Sequence, residues 1–257
     1  MRLVHLAPFV SLLFAAASLH AGAITYDLTT AEDANSVGSN PDGVWQFLGG
    51  TTVLPFHTIP SSGSCLSGYA GLSADWSVGN VSGNCIPAFA VASGNGPGSP
   101  HDFLTGDVIV HSQDNGNGGG NGQAFVTWTA PVSGTITIAG VIWYAQSAQT
   151  RSNDFTLILG GGPAIASGTV AYNSAVGNSR ANPLDFTGGG TLSVTAGEVL
   201  TLEIQKTAGQ ASGSIDGIDL SVTETTPSGV PEPTSLQLLG CGLGAMALLR
   251  LRLKTAR

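Results

Sequence analysis

Gln123-Ala124-Phe125-Val126-Thr127-Trp128-Thr129, Ala130-Pro131-Val132-Ser133-Gly134 and Thr135-Ile136-Thr137-Ile138-Ala139-Gly140-Val141-Ile142-Trp143-Tyr144-Ala145 read as strand, turn, strand. In the first segment Ala124, Val126 and Trp128 point one way and Gln123, Thr127 and Thr129 the other, the two-residue period of a half-buried β-strand. Phe125 breaks that alternation, because it is an aromatic residue on the polar side. Pro131 and Gly134 punctuate the chain as a turn. The second segment is rich in β-branched and aromatic residues and is long enough for a principal strand of a sheet.

The same pattern continues in both directions. Candidate strands are residues 24–28, 44–48, 88–92, 107–111, 154–159, 168–172, 191–195, 199–206 and 215–223, with Gly, Pro, Asn and Ser turns between them. No long helical periodicity intervenes between Ile24 and Thr223. About a dozen short strands without alternating helices predict an all-β antiparallel β-sandwich and argue against a nucleotide-binding α/β fold. The phrase Phe125 to Ile138, with Asn40-Pro41-Asp42-Gly43-Val44-Trp45 and Ile215-Asp216-Gly217-Ile218-Asp219, resembles jelly-roll modules of exported bacterial proteins. That resemblance implies a jelly-roll-like sandwich of the carbohydrate-binding type.

The two ends carry different information. Arg2, an apolar run through Leu19 and the closing Ala21-Gly22-Ala23 form a signal peptide pattern, to be cut by signal peptidase after Ala23. Residues 225–230 are a Thr/Pro/Ser/Gly linker, and Pro231-Glu232-Pro233 follows, stiffened by its prolines. Residues 236–249 are apolar apart from Gln237, and Arg250, Arg252, Lys254 and Arg257 end the chain. As a helix, residues 235–253 reach ~28 Å, close to the thickness of a bilayer core. The basic end belongs on the cytoplasmic side, which places the rest of the chain outside.

This ordered set, at 231–257, resembles the PEP-CTERM sorting signal. The resemblance implies recognition and removal of the tail by an exosortase, a membrane-embedded cysteine transpeptidase. It further implies anchoring in the inner membrane before processing, then delivery to the cell surface or extracellular matrix, commonly alongside extracellular polysaccharide. A permanent single-pass anchor is the alternative, with Gly240 and Gly244 as a helix-packing pair.

The expected organisation is therefore a signal peptide (1–23), an ectodomain (24–224), a linker (225–230) and a sorting tail (231–257). Between the two ends, three basic residues stand against fifteen acidic ones, a net charge of −12. Such a surface repels nucleic acid phosphate and leaves neutral polysaccharide as a compatible partner. Of the three cysteines, Cys241 lies in the tail; export makes a Cys65–Cys85 disulfide the expectation, worth about 3 kcal/mol over a loop of about 20 residues.

Chemistry is sparse. Gly177-Asn178-Ser179-Arg180-Ala181 only approximates a nucleophile elbow, and Asn182-Pro183 prevents the helix that must follow. Fifteen acids leave a carboxylate pair for glycoside hydrolysis open as the alternative to a non-enzymatic module. The Asn/Gly-rich stretch from Asp114 to Gly122 lacks the EF-hand pattern and reads as a flexible loop. The one metal expectation is a structural Ca²⁺, implied by the jelly-roll resemblance, with Glu32 or Asp33 joined by Asp216 or Asp219. Trp128 and Trp143 lie in apolar strands and read as core. Trp76 lies among Ser, Ala, Asp and Gly and is the candidate for exposure and sugar stacking, assisted by Tyr69 and Asp75, with core packing as its alternative.

Overall fold

The computed structural model describes residues 22–29, 40–41, 43–58, 66, 71–77, 85–94, 102–114, 123–146 and 149–226. The signal peptide, the sorting motif Pro231-Glu232-Pro233, the apolar segment and the basic end lie outside the described residues, apart from Gly22 and Ala23. So do Glu32, Asp33, Cys65 and Tyr69.

Among the described residues there are fifteen strands and no helix. They are β1 (Ala23–Asp27), β2 (Trp45–Gly49), β3 (Thr52–Val53), β4 (Phe56–Thr58), β5 (Leu72–Ser77), β6 (Ala88–Ala92), β7 (Val108–His111), β8 (Ala124–Thr129), β9 (Gly134–Tyr144), β10 (Ser152–Leu159), β11 (Ala164–Ala171), β12 (Leu184–Asp185), β13 (Gly188–Val194), β14 (Val199–Lys206) and β15 (Ile215–Thr225). A nine-stranded sheet runs β12-β9-β15-β7-β6-β5-β4, with β1 paired to β15 and β13 to β9. A six-stranded sheet runs β11-β10-β14-β8-β2-β3. Strand pairs within both sheets are antiparallel. This is the sandwich that the alternation of β8 and the length of β9 predict.

Two strand ends move relative to the expected boundaries. β1 begins at Ala23, opposite Thr225, one residue before the expected mature start. β15 runs through Thr225 into the expected linker, because its terminal residues keep partners on both β1 and β9.

The inward faces meet in one apolar core. Trp45, Phe47, Val126 and Trp128 of the smaller sheet pack with Trp76, Phe89, Ile136, Ile138, Ile142, Leu220 and Val222 of the larger. A second cluster forms on the other side of the larger sheet, where Leu66, Ile86 and Phe103 come from connecting loops and cover Ala90, Ile109 and Trp143. Gly217 permits that cover, since a Cβ there would lie 2.1 Å from the Trp143 ring. The Trp143 indole N–H donates to the Asp102 carbonyl (2.7 Å), and the Arg180 guanidinium sits 5.7 Å from its ring centroid. Asp107 holds Arg180 through two oxygens, at 2.8 and 3.1 Å.

A buried polar group ties the sheets together at one end. Asn153 of β10 donates to the Asp216 carboxylate of β15 (2.6 Å) and accepts from Ser112 Oγ (2.6 Å). Ser214 Oγ donates to the other Asp216 oxygen (3.1 Å). Every member of this set is buried, so each hydrogen bond offsets a desolvation cost that would otherwise oppose folding.

Candidate functional site

Trp76 does not stand on the surface. It is 1% exposed and packs against Phe47 at 4.7 Å and Phe56 at 5.8 Å between ring centroids. The expectation of a solvent-facing Trp76 is corrected by strand β5, absent from the sequence reading, which turns Trp76 into the core. Asp75 points the other way and is fully buried as well. Its carboxylate accepts from the Leu66 N–H and from Ser77 Oγ, both at 3.0 Å, which makes it an anchor for Leu66. All four tryptophans are buried.

Asp216 and Asp219 do not meet. They lie three positions apart on β15, so their side chains leave opposite faces of the sheet. Both oxygens of Asp216 accept hydrogen bonds in the interior, whereas Asp219 stands on the outer side. Burial pushes the Asp216 carboxyl up to about 7, against the pull of Asn153 and Ser214. Among the described residues no group of three or more metal-ligating side chains forms; Glu32 and Asp33, one of which was expected to share Ca²⁺ with either acid, lie outside the described residues. Cys85 is disulfide-bonded. Ser179 accepts a hydrogen bond from the Asn182 N–H (3.1 Å) in a loop, with no elbow or following helix.

The outward face of the six-stranded sheet carries the aromatic residue that the sequence marked as out of pattern. Because Ala124, Val126 and Trp128 fill the core, Phe125, Thr127 and Thr129 must project away from it. Phe125 stands opposite Glu203 of β14 and Leu48 of β2, and it is partly exposed. Thr127 lies between Thr201 and Gln46 in the next row. Gln123 donates to Glu203 at 2.7 Å, and Gln205 and Thr156 extend the polar set on β14 and β10. Neighbouring strands lie about 4.8 Å apart. The result is a ring with amides and hydroxyls around it: an apolar face for C–H contacts, and groups that both donate and accept hydrogen bonds.

A second polar feature lies on the larger sheet, where β1, β9 and β15 are not covered by the loop cluster. A depression of about 310 Å³ is lined by Asp27, Ala139, Gly140, Val141, Thr187, Asp219 and Ser221. Burial raises the Asp219 carboxyl above the usual range; the negative charges of Asp27 and Asp107 add to this, and Arg180 opposes it. Asp27 accepts from the N–H and the hydroxyl of Thr29, both at 2.8 Å. Beside it Thr25 and Thr223 share a hydrogen bond between hydroxyls at 2.9 Å. Both carboxylates rise from the same sheet floor.

No family model and no curated protein sequence matches this chain. Among solved structures, the CBM22-1 xylan-binding domain of Paenibacillus barcinonensis Xyn10C overlaps 79% of this chain and 94% of its own, at 9% identity and a TM-score of 0.31. A family 35 carbohydrate binding module from Clostridium thermocellum overlaps 49% and 81%, at 13% identity and a TM-score of 0.26. The VP2 subviral particle protein of infectious bursal disease virus overlaps 48% of this chain and 31% of that one, at 21% identity and a TM-score of 0.27. Overlaps at these scores carry neither a family nor a ligand to this chain, whose own coordinates establish an all-β antiparallel sandwich.

Proposed function

We propose that this protein is an exported, non-catalytic β-sandwich that holds an extracellular polysaccharide against the outward face of its six-stranded sheet. The observation that carries this reading is Phe125, an aromatic ring turned out of the core between Leu48 and Glu203, with Gln46, Gln123, Thr127 and Thr201 around that row. Apolar sugar faces gain from the ring, and sugar hydroxyls find both donors and acceptors beside it. The net charge of −12 between the two ends favours a neutral polymer over an acidic one. Delivery follows from the ends of the chain: signal peptidase acts after Ala23, and an exosortase removes 231–257 at Pro231-Glu232-Pro233. The product then resides at the surface or in the matrix. Cys85 pairs with Cys65, the other cysteine that remains after processing.

A glycan array of the 24–229 fragment tests the reading. Binding should be lost in Phe125→Ala and retained in Phe125→Trp. A signal that survives Phe125→Ala sinks the proposed face, and a blank array for the parent fragment favours a purely structural surface protein.

The depression at Asp27 and Asp219 favours a second reading, a secreted glycan-active hydrolase, because one carboxyl there is raised toward the proton-holding state a general acid needs. The common floor from which both acids rise weighs against it, since hydrolysis needs groups flanking the scissile bond. Release of reducing ends from a polysaccharide, abolished by Asp219→Asn, would establish that reading instead.

A further inference from the structure

Strand β11 closes one edge of the six-stranded sheet, and no described strand pairs with its outer side. The neighbouring hydrogen bonds fix which of its backbone groups face that edge. Thr207 N–H donates to the Ser152 carbonyl (3.0 Å), which turns Ser152 toward β14; Tyr172 N–H donates to the Arg151 carbonyl (3.2 Å), which turns Arg151 toward β11. Alternation along the ladder then commits Gly168 and Val170 to β10 and points the N–H and C=O of Ser167 and Thr169 off the sheet. Past Ala171 the chain turns on the Ser174 N–H, and before Ala166 the register slips, so Ser167 to Thr169 is the open part of the edge.

Edges that stay single are blunted by brevity, charge, proline or irregularity. β3, β4 and β12 have two or three residues, β1 ends in Asp27, and β13 takes a two-residue register shift against β9, larger than the one-residue slip that bounds the regular part of β11. β11 has eight residues with neither charge nor proline, in a domain whose net charge is −12. Asp154, on the adjacent strand, is engaged by the hydroxyls of Thr169 (2.6 Å) and Thr207 (3.0 Å).

We propose that β11 is a self-association edge at which two copies of this chain pair antiparallel about a dyad at Gly168. Ser167 then stands opposite the partner's Thr169, and Thr169 opposite the partner's Ser167, so all four off-sheet N–H groups find carbonyls. Gly168 meets its own copy in the close, non-hydrogen-bonded position, where Cα atoms approach to about 4.5 Å and neither residue has a side chain to obstruct the other. The strand places no like charges opposite each other, which the acidic remainder of the surface would do. Two six-stranded sheets join into one, with their Phe125 faces side by side. The contact is small beside the 1,200 Å² or so of a stable complex, so the dimer is weak and forms as the concentration of the chain rises. The inference is independent of the glycan reading.

The test is disulfide trapping of the full chain, exported with its own end segments, on non-reducing gels. Ser167→Cys with Thr169→Cys in one chain should give a covalent dimer. The parent protein and each single variant should give several-fold less. Ser167→Lys should abolish concentration-dependent dimerisation of the detergent-solubilised full chain in sedimentation, while leaving its melting curve unchanged. An exported, folded double variant that stays monomeric overturns the proposal. Trapping by Ser167→Cys alone as efficient as by the pair overturns the Gly168 dyad.

Discussion

Trp143 and Phe125 occupy equivalent settings on the two sheets, each projecting away from the inter-sheet core, yet Trp143 is 2% exposed and Phe125 remains partly open. The difference lies in the connections. On the larger sheet, residues 59–71, 78–87 and 93–107 join its strands, residues 172–183 arrive from β11, and Leu66, Ile86, Phe103 and Arg180 from those segments build a second cluster and a charged lock over Trp143. On the smaller sheet the β2–β3 turn is Gly50-Thr51, and β10 and β11 are joined by residues 160–163, too short to reach back across the strands. An outward aromatic becomes core or contact surface according to which neighbouring segments pack over it, and its own strand does not decide which.

The largest effect that tests this comparison is on the buried side. Trp76→Ala should cost about 3–5 kcal/mol in denaturant unfolding, because it removes a large core side chain between Phe47 and Phe56. A loss below about 1 kcal/mol would restore the exposed Trp76 that the sequence suggested. Gly217→Ala comes next, at about 1–3 kcal/mol, because the added methyl overlaps a Trp143 ring that loops hold from above. If the protein tolerates it without loss, the cover over Trp143 is looser than its burial implies.

A pH series probes the polar tie between the sheets. Asp216 has a folded pKa of about 7 against about 3.9 unfolded, so the folded state retains the proton across that window. Its contribution is complete below about pH 4 and is lost as pH rises toward 7. His111, whose pKa burial lowers, gives the opposite slope below about 6.5. The informative quantity is therefore a difference: Asp216→Asn should be as stable as the parent or less so near pH 4 and gain on it steadily to pH 8, by thermal unfolding. The Ser214 hydroxyl can rotate to accept from the new amide. A parallel pH dependence for the two proteins would mean that Asp216 is not the group responsible. The smallest stability change belongs to Phe125→Ala, expected within about 1 kcal/mol of the parent, since the ring leaves a surface rather than a core. A larger loss would identify Phe125 as packing and weaken the binding face.

Much of this architecture was legible. The strict alternation of Ala124, Val126 and Trp128, and the long β-branched run after Gly134, predicted β8, β9 and the sandwich class. Strand β5 was not legible: its small and polar residues looked like loop, and Asp75 is buried only because Leu66, nine positions away, brings a backbone donor to it. Asp216 and Asp219 show the two scales side by side. Their three-residue spacing within a strand already separates their faces, whereas the burial of Asp216 depends on Asn153 and Ser214, which the chain brings together from 63 and 2 positions away.

By itself, the sequence determined the class of fold, the acidic charge between the two ends, the delivery signals expected at those ends and the anomaly at Phe125. All of these are local or compositional properties. Only the tertiary structure decided which aromatics are covered, where carboxylates approach one another, and which strand is left as an open edge. Those outcomes depend on loops crossing a sheet and on strand order, and both are set by contacts between residues far apart in the chain.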